Sequence, residues 1–289
     1  MFPFVFAGAI IASAVAWERG LSPFYVMVAV SGATLAVVAL AERLMPFHKE
    51  WNHAQGDVGI DMIHGVVSNL TLPFVYRAAF ALLLLPVARA LEHVVGGAIW
   101  PTAWPLAAQV ILAAVAAELC QYWVHRAAHE TQWLWRLHAV HHSPKRLYWL
   151  NAGRDHPLGL LILFGAETSA LMLLGAPDRV FFMQGVLTVV VGLFQHANID
   201  LKLGIFNYIF SLNELHRWHH DENVTIANHN YGSNLSVWDW IFGTAYRGRE
   251  GTSPTVGISG LSIPENYGVQ LLVPFRWEQA QKETSLHKG

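Results

Sequence analysis

The chain has 289 residues, 54% of them hydrophobic and 13% charged, against about 25% charged in soluble domains, and its mean hydropathy of +0.34 predicts a membrane protein. A net charge of -2 provides no basic field for neutralising phosphates, which excludes nucleic acid as a partner class. The single cysteine, Cys120, excludes an intramolecular disulfide framework and multi-thiolate metal sites, so any bound metal must take nitrogen or oxygen ligands.

In chain order, apolar stretches run from about 2 to 17, 21 to 41, 66 to 91, 103 to 122, 157 to 175 and 179 to 199. Most approach the ~20 residues that a helix needs to cross a hydrocarbon core. The first and fourth are short and the third contains Arg77, so the expected fold class is all-α, a polytopic bundle of about four to six transmembrane or re-entrant helices. The N-terminal run lacks a basic n-region and a small-residue cleavage site, and is expected to stay as a membrane helix.

If the segments alternate across the bilayer, residues 42 to 65, 123 to 156 and 200 to 289 share one face. That face carries 14 of the 18 Lys and Arg; Arg19, Arg89 and Arg179 lie opposite. The bias predicts that the crowded face, with its histidine-rich helical cap, is cytoplasmic. Eleven of the 16 histidines fall between 125 and 229, on that same face.

The fourth apolar segment runs into YWVHRAAH, where His125 and His129 stack on one helical face. Tyr122 and Glu118 continue that stripe, and a carboxylate there could orient a ligand histidine through its second ring nitrogen. LHAVHHS follows, with His138, His141 and His142, and later HRWHH, with His216, His219 and His220. In both boxes the first and last histidines point one way and the middle one lies adjacent. This suits two neighbouring ions, with the outer members of each box serving different metals. Imidazole suits zinc, copper, iron or nickel, and spacing does not choose among them. HETQW at 129 to 133 lacks the second histidine of a zinc-protease motif, and haem needs only one or two axial histidines. His48, His53, His64, His93 and His287 read as ordinary hydrogen-bonded histidines. Arg217 and Asp221 lie off the His216 and His220 stripe and read as surface or headgroup contacts.

Together, YWVHRAAHETQWLWRLHAVHHS, NAGRDHP, HAN and LHRWHHDENVTIANHNYGSNLSVWDWIFGT resemble the fatty acid hydroxylase and sterol desaturase superfamily of integral-membrane, non-haem di-iron enzymes. The resemblance covers roughly the C-terminal two thirds. It implies that the eight box histidines ligate two irons, joined by His196 in HAN and by His156 and His229 as further candidates. Glu118, where relatives often carry Asp, and Glu130, which matches an acidic residue of the branch related to alkylglycerol monooxygenase, are the candidate catalytic carboxylates. The implied reaction uses O2 as co-substrate to hydroxylate or desaturate an unactivated C–H position of an acyl chain, sterol or related lipid taken from the bilayer.

Residues 1–100 are then N-terminal membrane segments, 101–245 the histidine-box domain and 246–289 a C-terminal cap or tail. No GxGxxG unit is visible, so electrons are expected from an external ferredoxin, cytochrome or reductase. Trp133, Trp149, Trp218 and Tyr231 are candidates to line a lipid entrance. The alternatives are an ether-lipid hydroxylase like alkylglycerol monooxygenase and a non-catalytic membrane protein that binds or transports metal.

Overall fold

The computed structural model describes residues 1–249 and 252–286, and among them every regular element is helical. Helices α1 (Phe2–Glu18) and α2 (Pro23–Leu44) pack side by side, and both lie against a later helix, α8. Next, α3 (Val58–His64) passes through a π-helical stretch, Gly65–Thr71, into α4 (Leu72–Val95). Then come α5 (Leu106–Glu130), α6 (Gln132–His142), α7 (Pro157–Leu173) and α8 (Asp178–Gln195). Short helices complete the chain: α9 (Asn213–His219), α10 (Val224–Ala227), α11 (Val237–Phe242), α12 (Tyr267–Leu272) and α13 (Trp277–Leu286).

Among the described residues, four helical segments are long and apolar enough to cross a membrane: Pro23–Leu44, Val58–Val95, Leu106–Glu130 and Asp178–Gln195. Two shorter apolar helices, α1 and α7, accompany them. α5 packs on α7 and α8, and α4 on the outside of α7. Side chains of α4 face outward almost throughout, with only Ala88 buried, as expected for a helix bathed in hydrocarbon.

Two boundaries differ from the hydropathy reading for the same physical reason. The fourth apolar run fades near 122, but α5 continues to Glu130. At a rise of ~1.5 Å per residue it is ~37 Å long, several ångströms more than the ~30 Å hydrocarbon core, so its last turns carry His125 and His129 at the membrane edge. The third segment begins at Val58 rather than near 66, because Asp61 and His64 are polar residues that hydropathy reads as loop. Both are buried, Asp61 against Tyr148 and Arg154 of the segment that follows α6 and His64 against Gln270 of α12.

The main hydrophobic core joins Phe2 and Val38 to Phe194, Ile199 and Leu212, so the first two helices buttress the base of the histidine region. Above it, Leu261, Ile263, Val273 and Trp277 pack on Ala139 of α6. The described part of the C-terminal segment therefore packs on α6. His287 lies outside the described residues.

Candidate metal centre

The end of α5, all of α6, the C-terminal end of α8 and the short α9 converge at one end of the bundle. Among the described residues they bring nine histidines into two adjoining groups. The first contains His125, His129, His138, His142 and His219; the second contains His141, His196, His216 and His220. Within each group, one ligand atom per residue lies within 4.8 Å of all the others. The outer pair of the second box, His138 and His142, joins the first group, while the outer pair of the third box, His216 and His220, joins the second. Each middle histidine crosses over. The groups abut, with the rings of His142 and His220 stacked 4.2 Å apart.

The hydrogen bonds determine which ring nitrogens are left for a ligand role. His125 donates its Nδ1–H to the Tyr231 carbonyl at 2.6 Å, and His219 donates to the His229 carbonyl at 2.8 Å. In the second group, His141 donates to the Arg154 carbonyl at 3.2 Å and His196 to Asn151 Oδ1 at 3.1 Å. Asn151 is oriented by its own amide, which donates to the Arg146 carbonyl, so its oxygen is the acceptor. These imidazoles are therefore Nδ1 tautomers with a bare Nε2.

Two of these bare nitrogens face each other, with His219 Nε2 3.1 Å from His125 Nε2. His138 Nε2 lies 2.9 Å from His125 Nε2, and His216 Nε2 lies 3.0 Å from His196 Nε2 and 2.9 Å from His220 Nε2; the Nδ1 atoms of His138 and His216 have no partner, so a neutral Nε2–H on either ring could donate across those gaps. The Nε2 of His129 is buried with no hydrogen-bond partner. Lone pairs at this distance repel unless a cation sits between them. A proton is a poor candidate, because burial, reinforced by neighbouring imidazoles, holds His138, His142, His216, His219 and His220 well below the ordinary histidine range. Burial also pushes His141 down to about 4. The spacing matches the ~3.0 Å edge between adjacent donors around an ion with bonds of about 2.1 Å. The donor set fits two metal ions.

Two further candidates do not enter either group. His156 caps α7: its Nδ1 accepts from the Leu158 N–H at 3.1 Å, and its Nε2–H donates to the Leu271 carbonyl at 3.2 Å. Both ring nitrogens are used, and none remains for a metal. His229 donates from Nδ1 to the Ile226 carbonyl, and its contribution to the site is its main-chain oxygen, which accepts from His219.

Neither candidate carboxylate touches a cluster histidine. Glu130 pairs with Arg126 at 2.8 Å on the outer face of α5. Glu118 is buried, but it accepts from the N–H groups of Ser233 and Asn234. It holds a loop in place of a ring. Arg217 and Asp221 are also buried rather than on the surface. Arg217 donates to the Ile199 carbonyl and stacks over Phe47, and Asp221 accepts from Asn223 N–H. Of the expected entrance residues, Trp218 and Tyr231 are buried, Trp149 is half-buried and Trp133 is exposed.

Hydropathy and histidine spacing gave no sign of the carboxylates that hold the donor groups. Asp239 accepts from Tyr231 N–H and Gly232 N–H at 2.8 Å each, tethering the loop that orients the first cluster. A Cβ at Gly232 would collide with the Leu235 carbonyl, so the NYG turn requires glycine there. Asp61 accepts from Arg154 Nε at 2.6 Å, and Arg154 also reaches Glu265 at 2.7 Å. Glu42 accepts from Trp149 N–H and Asn198 N–H at 2.8 and 2.9 Å. Hydropathy offered no signal for them, because Glu42, Asp61 and Asp239 all lie outside the six apolar runs.

Comparison with known proteins came to the same region. Residues 110–244 match the fatty acid hydroxylase family. The chain is 38% identical over 246 residues to an ornithine lipid hydroxylase of Rhizobium tropici, covering 84% of this chain and 73% of that protein. It is 31% identical over 145 residues to an alkylglycerol monooxygenase of Danio rerio, covering 50% of this chain but only 31% of that protein. It is 30% identical over 186 residues to a very-long-chain aldehyde decarbonylase of Oryza sativa, covering 62% of this chain and 69% of that protein. No solved structure matches.

Proposed function

The chain belongs to the fatty acid hydroxylase family, and from that premise we propose that this multi-pass membrane protein is a di-iron oxygenase that hydroxylates a lipid at an unactivated C–H position. The observation that carries the reading is the pair of adjoining histidine groups with bare Nε2 atoms turned inward. His125, His129, His138, His142 and His219 hold one iron, and His141, His196, His216 and His220 hold the other. Relatives named as hydroxylase and monooxygenase favour a redox-active ion over zinc, and the resemblance of the histidine boxes to those of non-haem di-iron enzymes favours iron over copper.

Two irons bound there supply the reductive activation of O2. The overall change balances as RH + O2 + 2e⁻ + 2H⁺ → ROH + H2O, with the electrons drawn from an external ferredoxin, cytochrome or reductase. The protein's own part is positional. Backbone carbonyls fix the tautomer and tilt of the rings, and burial keeps water from competing for the Nε2 atoms. In this reading the apolar helices hold the site at the bilayer edge, where a lipid can reach it, and the Lys and Arg bias supports a cytoplasmic face for that edge. Residues 101–245 are the reactive domain in this reading, and the packing of Leu261, Ile263, Val273 and Trp277 on α6 supports a capping role for the described residues after 245.

Hydroxylation is favoured over desaturation by the names of the relatives, and an ornithine lipid is the first substrate to try. The test is mass spectrometry of lipids from cells making the wild type or His219→Ala under labelled O2. The wild type should yield a lipid heavier by one oxygen, carrying the label, that is absent from the variant. A product lighter by two hydrogens would convert the reaction to desaturation. Identical lipid profiles together with metal-free purified protein would sink the oxygenase reading.

A further inference from the structure

The two histidine groups are held by different parts of the chain. Rings of the first group lean on Asn228, His229 and Tyr231, a loop tethered by Asp239 and followed by residues that Glu118 holds, all within the family-matched region 110–244. Rings of the second lean on Asn151 Oδ1 and the Arg154 carbonyl. That segment is clamped by carboxylates outside the matched region. Asp61 binds the Arg154 guanidinium and the Tyr148 hydroxyl, and Glu265 binds Arg154 from the C-terminal segment. Ser68, in the π-helical stretch, donates to the Asp155 carbonyl, and a Cβ at Gly153 would collide with Asn69. π-Helical turns inside longer helices recur at functional sites, because they redirect side chains that a regular helix would point elsewhere.

Arg154 and Asp61 are both fully buried, so this pair cannot be a solvated surface contact. Its partners fix the position of the Arg154 main chain, and the carbonyl of that residue fixes the ring of His141. Resting on the two-metal reading above, we propose that Asp61 of α3, at the start of the Val58–Val95 segment, and Glu265 of the C-terminal segment are positioning residues for the second metal ion alone, acting through Arg154 on His141. Removing either carboxylate frees the Arg154 backbone to shift, and His141 with it. The first ion has no contact with this chain of bonds and stays put. The N-terminal helices and the C-terminal segment are thus working parts of one half of the centre.

The experiment measures iron per chain and its release to a chelator, using the full-length protein in detergent. Wild type should carry about two irons, and His125→Ala and His141→Ala about one each, in opposite groups. Adding Asp61→Asn to His125→Ala should speed release of the remaining ion by about 10–100-fold, the usual effect of losing a ligand's outer partner, and adding it to His141→Ala should change nothing. Should Asp61→Asn fail to fold, Glu265→Gln in the wild type is the milder arm, since Glu265 is partly exposed; one of two ions should become labile. Equal acceleration in both backgrounds, uniform loosening of both ions, or no acceleration would overturn the inference while leaving the di-iron reading intact. A wild type without metal would overturn both.

Discussion

The two histidine groups have the same kind of donor and nearly the same spacing, yet they are built by different means. The first draws its ring partners from a loop that follows its own third box, and both tethering carboxylates, Glu118 and Asp239, sit in the matched region. The second draws on the stretch between α6 and α7, and its clamps come from α2, α3 and the C-terminal segment through Glu42, Asp61 and Glu265. One half is local and the other is assembled across the whole chain. Metal affinity in the two halves should therefore answer to different substitutions.

Asp239→Asn is the strongest way to break that contrast from the other side. Loss of its charge weakens the grip on Tyr231 and Gly232, whose loop orients His125. The first ion should be released about 10–100-fold faster while the second is unaffected, the mirror of the Asp61→Asn result. Chelator release in the His125→Ala and His141→Ala backgrounds checks it, and an effect confined to the second ion would collapse the distinction.

Acid should loosen both halves together. The buried imidazoles titrate below the ordinary histidine value of ~6.5, so below that pH the unfolded chain binds more protons than the folded one. Stability of the metal-free protein is thus present above about pH 6.5 and falls as the pH drops toward about 4, the value to which burial lowers His141. Metal and protons compete for the same nitrogens, so iron retention should fall over the same interval. Thermal unfolding of metal-free protein at a series of pH values would show it; a flat profile from pH 7.5 to ~5 contradicts the burial argument.

The smallest effects are expected where histidines and carboxylates of the motifs lie outside both halves. His156→Ala removes a helix cap and should cost about 1 kcal/mol of stability with both irons retained. Glu130→Gln should change stability by less than about 0.5 kcal/mol and leave activity in place, since its ion pair with Arg126 is half-exposed and it touches no cluster histidine. Metal loss in either variant would return that residue to the centre.

Much of this was visible without coordinates. Six apolar runs located the six long helices, and the periodicity of HxxxH and HxxHH put pairs of imidazoles on common faces, because a helix of 3.6 residues per turn leaves little choice. The HAN motif pointed to His196, which lies in the second group. Helix ends were harder to read where polar side chains entered them. α5 outlasts its apolar run, and α3 begins before one, because hydropathy reports the solvent of side chains rather than the path of the backbone.

The sequence by itself determined the helical class, the membrane setting and the pairing of box imidazoles on common helical faces, since each depends on local composition and spacing. Only the tertiary structure decided which imidazole joins which group. It also decided that His156 and His229 stand apart, that Arg217 and Asp221 are buried, and that Asp61, Glu42 and Glu265 hold one half of the centre. Those outcomes depend on which nitrogen meets which oxygen across helices separated by tens to more than a hundred residues. A hydrogen bond such as that between Asp61 and Arg154 has no period to betray it, and it exists only once α3, the stretch after α6 and the C-terminal segment are packed together.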